Sequence, residues 1–282
     1  MITVLPFEYQ IGVFGKICVG IYAFVTGYGL AVNVRPTVKE NVLLGLSRMI
    51  GFYKKFWLVY IIFIPIGIYI NEINAPLNEY IFNFLGIKSS FNGEWWYIKQ
   101  YVLIMLSFPF IWQVLILGAK CRSSISTVFI CVFAIILRYI SPFLALSFIG
   151  MLFKKYSLFE KINVLKFNNR PVLFSAILIA LVIFVRCLNP SIKIDVFLVP
   201  VLIFALVNIK NTIKYNCKIL ELMGELSVFI WLTHSFYLYH YFKETILLFR
   251  YSVPMFCVTT FLSIATALAL NMIYKKILDA NK

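Results

Sequence analysis

Long apolar runs joined by short polar connections make up nearly the whole chain. They fall at roughly 11–32, 55–71, 95–118, 125–140, 141–153, 171–188, 195–209, 226–242 and 254–275. Most approach the ~20 residues with which a helix crosses ~30 Å of hydrocarbon. The run 141–153 is the shortest and opens on Ser141-Pro142. No connection is long enough for a soluble domain, and no internal repeat or low-complexity tract interrupts the pattern. The pattern predicts an all-α polytopic membrane helix bundle, a single domain over 1–282 with about nine transmembrane helices.

Composition supports that solvent. Hydrophobic residues fill 62% of the 282 positions and charged residues 13%, where a soluble chain is nearer half and a quarter. Such a chain cannot cover its exterior with polar groups, so the exterior faces lipid. The 28 Phe and 17 Tyr suit both the acyl region and the headgroup interface. Six scattered cysteines (18, 121, 131, 187, 217, 257) form no C-x-x-C pair, and read as small apolar side chains rather than metal ligands or a disulfide framework. The opening residues carry no basic segment or small-residue cleavage site, so no cleavable signal peptide is expected.

The net charge of +15 is explained by membrane topology, and no nucleic-acid partner is expected. With loop 33–55 placed in the cytoplasm, alternate connections collect eighteen of the 26 Lys and Arg. They include Arg35, Lys39, Arg48, Lys54, Lys55, Lys120, Arg122, Lys166, Lys214 and Lys282. The opposite side holds only Lys88, Lys193, Lys243 and Arg250. This positive-inside bias predicts an outside N-terminus and a cytoplasmic C-terminus. Lys16, Lys99, Arg138 and Arg186 fall inside spans. Arg138 and Arg186 lie near the outer ends, where long side chains snorkel to the interface, and Lys99 is placed to line an outer vestibule.

Ionisable groups are expensive in hydrocarbon and become candidates by default. Both histidines, His234 and His240, occur in one run. Ser227, Trp231 and His234 are spaced i, i+4, i+7 and share a helix face expected to point into the bundle. His234 suits a general base, a proton relay or a hydrogen-bonded core position, and His240 a structural one. Arg48, Lys54 and Lys55 form a basic stretch that reads either as an inside anchor or as cations for a phosphorylated ligand. Phe91-Asn92-Gly93-Glu94-Trp95-Trp96-Tyr97 couples a turn signal to an aromatic cluster entering the bilayer from outside. An aromatic belt explains the rings. Asn92 and Glu94 beside them also suit a sugar, with its apolar C–H faces and hydroxyls.

Four segments, in order, resemble acyltransferase family 3, bacterial membrane O-acyltransferases that modify surface polysaccharides. Val25-Thr26-Gly27-Tyr28-Gly29-Leu30 is similar to the "SGY/SGF" end of that family's second helix. Arg48 to Trp57 resembles the basic segment before its third helix. Asn92 to Tyr97, then Phe108-Pro109, resembles its "N-x-x-WW-Y … FP" span. Leu222 to His234 resembles its "LG-x-x-S-x-x-IWL-x-H" signature. The resemblance implies transfer of an acyl group, expected to be acetyl, from cytosolic acetyl-CoA to a sugar hydroxyl. The acceptor would be a capsular or other lipid-linked or surface polysaccharide, and the setting the bacterial cytoplasmic membrane. Arg48, with Lys54 and Lys55, would bind the donor. Asn92, Glu94, Trp95, Trp96, Tyr97 and Ser227 would shape the acceptor side, and His234 would be catalytic. Beyond acyl-CoA, polysaccharide and membrane lipids, no bound cofactor or metal is expected.

The family has ten helices, the first carrying a histidine taken as its base. Here no histidine precedes His234, and Met1 falls where the loop after that helix is expected, so the domain reads as N-terminally incomplete. A glycan or small-anion transporter or flippase and an inactive truncated paralogue stand as alternatives. The repeated halves common in transporters are not seen.

Overall fold

A computed structural model describes residues 6–119, 123–164, 170–213 and 217–280. Lys120, Cys121, Arg122, Lys166, Lys214 and Lys282 lie outside them. The described residues form helices, with no strand among them. In order these are α1 (Pro6–Gly15), α2 (Ile17–Val32), α3 (Val38–Tyr69), α4 (Leu77–Phe84), α5 (Tyr97–Ala119), α6 (Ser123–Ile140) and α7 (Pro142–Lys155). There follow α8 (Leu158–Val164), α9 (Pro171–Leu188), α10 (Asp195–Ile213), α11 (Lys218–Phe236), α12 (Lys243–Leu247) and α13 (Ser252–Ala280). A π-helical turn, Tyr237–Tyr241, continues α11.

Among the described residues, seven stretches are long and apolar enough to cross a bilayer: Glu8–Val32, Val38–Tyr69, Gly93–Gly118, Pro171–Leu188, Ile192–Ile213, Lys218–Tyr241 and Ser252–Asp279. The multi-pass, all-α expectation therefore holds. The two remaining runs are shorter. The apolar stretch Thr127–Ile140 lies within α6, which has 18 residues. Helix α7 has 14 residues, about 21 Å at 1.5 Å per residue, and Phe143 through Phe148 are all buried. It starts where Ser141 accepts the Phe143 N–H at 3.2 Å and Pro142 takes the first position, which needs no donor.

The chain divides into two compact units, one of Tyr9–Arg48 and Gln100–Tyr215, the other of Met1–Glu8, Met49–Lys99 and Asn216–Lys282. In the first unit α2 and α7 meet backbone to backbone. A Cβ on Gly27 would stand 1.8 Å from Ser147 O, and one on Gly150 2.1 Å from Phe24 O. Only glycine permits that approach, the usual device where lipid offers helices no hydrophobic drive to associate. The start of α3 is set by a capping box: Thr37 Oγ1 accepts the Glu40 N–H at 3.2 Å and Glu40 Oε2 the Thr37 N–H at 3.1 Å. Those bonds extend the helix well before the apolar run at 55.

One arginine departs from the snorkelling expectation. Arg186 is fully buried, with Nε 2.8 Å from Asp195 Oδ1 on α10 and Nη1 donating to Asn189 O at 3.0 Å. Asp195 supplies the countercharge without which a buried guanidinium would be strongly destabilising. Arg138 sits 5.2 Å over the Phe197 ring and reaches Lys193 O at 3.4 Å.

In the second unit the connection after α3 folds back along it. Three ring donors on α3, spaced i, i+4, i+7, reach successive carbonyls: Tyr60 to Tyr80 O at 2.8 Å, Trp57 to Phe84 O at 3.0 Å, and Tyr53 to Leu85 O at 2.9 Å. The bonds from Trp57 and Tyr53 satisfy the Phe84 and Leu85 carbonyls at the end of α4, which have no partner within the helix. Gly86 turns the chain with φ +70°, and a Cβ there would stand 2.8 Å from Ile98 Cγ2. Buried Asn83 ties the return, donating to Ser90 Oγ at 2.7 Å and accepting from the Phe91 N–H at 3.3 Å. Hydrogen bonds from Lys88 and Ser90 hold the Glu79 carboxyl below the ordinary carboxylate range.

Candidate functional site

Helix α11 packs against α13, with the Phe229 and Tyr274 rings 6.1 Å apart, and its buried stripe is Leu226, Phe229, Leu232, Thr233, Ser235 and Phe236. Ser227, Trp231 and His234 do share a face, but it flanks that stripe and is half-buried. The expected inward face is occupied by apolar neighbours instead. Ser227 Oγ donates to Gly224 O at 2.7 Å, within its own helix.

His234 is fixed at one nitrogen. Its Nδ1 lies 3.1 Å from Ile230 O and 3.0 Å from Trp231 O. Carbonyl oxygens only accept, so in the neutral ring Nδ1 carries the proton and Nε2 keeps its lone pair. A half-buried imidazole with that tautomer can accept a proton at Nε2 without giving up its helix contacts.

The segment before α5 reaches the same stretch of α11. Asn92 caps the short turn Gly93–Trp96, its Oδ1 accepting the Glu94 N–H at 3.0 Å. Its Nδ2 donates to Leu232 O at 3.1 Å, and Ser235 Oγ donates to its Oδ1 at 2.7 Å. Trp95 Nε1 also donates to Leu232 O, at 3.2 Å. Asn92, Trp95 and Ser235 are 3%, 0% and 2% exposed. Trp95 is enclosed edge-on by Phe56 at 4.9 Å and Phe236 at 5.5 Å.

The sequence therefore brings the 92–97 segment and α11 together, but its residues divide by access. Asn92 and Trp95 are buried with their polar groups engaged, and Tyr97 is buried edge-on against Trp231 at 6.0 Å. Glu94, Trp96, Trp231 and His234 remain half-buried and reachable. Phe52 lies 6.3 Å from Trp231. Ser235 and Phe52 were not singled out from sequence. Ser235 follows His234 directly, and a serine in an apolar helix usually bonds its own backbone, so nothing marked it.

Arg48 belongs to the first unit, where Nη2 donates to Gly29 O at 3.2 Å. Gly29 lies in the last turn of α2, where cations are favoured, and its carbonyl also accepts from Asn33 Nδ2 at 2.8 Å. Arg48 is half-buried, and among the described residues its guanidinium has no other hydrogen-bond partner. Lys54 and Lys55 belong to the second unit. Lys54 is exposed, and Lys55 Nζ lies 5.7 Å from the Phe229 ring and 5.5 Å from the Tyr274 ring. Among the described residues, no group of three His, Cys, Asp or Glu could hold a metal ion.

Comparison with family models matches residues 2–272 to acyltransferase family 3, described as an acyltransferase domain. Comparison with curated proteins and with solved structures gives no match.

Proposed function

Since the chain belongs to acyltransferase family 3 and is a multi-pass membrane acyltransferase, we propose that it carries acetyl from cytosolic acetyl-CoA to a sugar hydroxyl of a cell-surface polysaccharide. The setting is the bacterial cytoplasmic membrane. The observation that carries this reading is His234: Nδ1 is tied to two carbonyls of its own helix and Nε2 keeps its lone pair.

In the proposed step the sugar hydroxyl oxygen forms a bond to the thioester carbonyl carbon while Nε2 takes its proton. The carbon–sulfur bond then breaks, the coenzyme A thiolate leaves, and the imidazolium returns the proton to it. The products are an acetyl ester and free coenzyme A. Half-buried Trp231 and Trp96 offer ring faces to sugar C–H groups, and Glu94 a carboxylate to its hydroxyls. Arg48 supplies the donor's phosphates with those N–H groups not spent on Gly29. A planar fork suits phosphate better than a point charge.

The test is His234→Gln, assayed by radiolabelled acetyl incorporation into the polysaccharide of the source bacterium. Glutamine retains polarity but takes no proton, so transfer is expected to fall roughly 10²- to 10⁴-fold at unchanged membrane abundance. Reduced abundance with normal activity per molecule would make His234 a packing residue and remove it from the mechanism.

A further inference from the structure

The hydrogen bonds around Asn92 are concentrated at one place on α11. Asn92 Nδ2 and Trp95 Nε1 both donate to Leu232 O, two residues before His234, and Ser235, one residue after it, donates to Asn92 Oδ1. His234 is thus bracketed by two residues tied to the 92–96 turn. Past it the helix leaves the α register for a π-helical turn at Tyr237–Tyr241, where Phe242 N–H bonds Tyr237 O, five residues back. Turns of this kind occur mostly as local bulges, frequently at functional sites.

Burying an asparagine amide, an indole N–H and a hydroxyl together is tolerable only when each is satisfied. Packing α11 against its neighbours needs no polar group. Phe56 and Phe236 already supply buried apolar contact there, each against the Trp95 ring. What the polar bonds add is direction: they fix the rotation and height of the helix turn that carries His234, relative to the turn that carries Glu94 and Trp96. A rotation of one residue, 100° on an α-helix, would take the imidazole off that wall.

We infer that Asn92, with Trp95 and Ser235, is a positioning group for His234: it fixes the aim of the imidazole and does not itself meet the substrate. This rests on the reading of His234 as the proton acceptor.

The experiment compares Ser235→Ala, Ser235→Thr and Asn92→Ala with the unsubstituted chain, each alone and combined with His234→Gln. Ser235→Ala removes one bond and leaves the rest of the brace to hold the fold, so it serves if Asn92→Ala is lost from the membrane. Ser235→Ala is expected to lower the acetyl-transfer rate about tenfold with KM for acetyl-CoA unchanged, and Ser235→Thr to restore it. In the His234→Gln background Ser235→Ala should cause no further loss. A second readout needs no activity. With His240→Gln, His234 is the sole histidine, and its ring nitrogen resonances in lipid nanodiscs should form one Nδ1–H set that splits or broadens in Ser235→Ala and Asn92→Ala. Full additivity with His234→Gln, or ring resonances unchanged in both variants, would overturn the inference. If the unsubstituted chain transfers no acetyl group at all, the proposed function fails, and the resonances alone decide whether the brace orients His234.

Discussion

At the scale of single residues, Arg48 presents a division that neither charge nor position revealed. One nitrogen bonds Gly29 O at the end of α2, while among the described residues the rest of the fork has no hydrogen-bond partner. Arg35 is exposed on the loop before α3 and has no such geometry. Arg48→Ala should therefore weaken acetyl-CoA use roughly ten- to a hundred-fold, about 1.5–3 kcal/mol for one charge-assisted phosphate contact, with Arg35→Ala nearly neutral. The KM for acetyl-CoA in inside-out vesicles checks this, and equal effects of the two would reduce Arg48 to an anchor. His234 and Trp231 were legible because polar rings are conspicuous in an apolar run. The roles of Asn92 and Ser235 were not. Their partners lie some 140 positions away in sequence, and no periodicity carries a contact of that separation. Arg186 was misjudged for another reason: its partner Asp195 is near in sequence but begins the next long helix, and only the packing of α9 on α10 brings the two together.

Among the elements, the crossing helices were readable because an apolar run of the right length has few alternatives in a membrane chain. What the runs could not show is which helices touch. Gly27 and Gly150 are the points where α2 and α7 do, and in sequence they differ in no way from Gly51, whose Cβ would meet nothing within 4 Å. The contrast is a test. Gly27→Ala places a methyl against a backbone oxygen that no rotamer can move, so it should cost at least about 1–3 kcal/mol. Gly51→Ala should be neutral or stabilising by about 0.5–1 kcal/mol, because alanine is the better helix former. Thermal unfolding in one detergent, followed by circular dichroism, separates the two, and equal midpoints would deny the close crossing. The fold-back of α4 was equally hidden. Its eight residues mix polar and apolar side chains like a surface loop, and Tyr53, Trp57 and Tyr60 on α3 look no different from rings facing lipid until the carbonyls opposite them are seen.

For the molecule as a whole, the proposed reaction has a direction: acetyl-CoA does not cross a bilayer, so donor groups and surface glycan must meet the protein from opposite sides. The excess of Lys and Arg on alternate connections predicts which side is which, and one helix can test the prediction. Ser191 and Asn211 are both exposed, Ser191 just before the apolar stretch Ile192–Ile213 and Asn211 in its last turn, so a crossing there must put them on opposite faces. The pair is better suited than Asn92, which is buried and bonded at both ends of its amide. In a chain with its six native cysteines replaced, Ser191→Cys should react with an impermeant thiol reagent in intact cells, and Asn211→Cys only after lysis. Labelling of both in intact cells would mean that Ile192–Ile213 does not cross. The reverse pattern would invert the molecule, placing the connection before α3 and Arg48 outside, where no acetyl-CoA is found. The donor assignment of Arg48 would then fail even if His234→Gln still abolished transfer, so topology and chemistry can be tested independently.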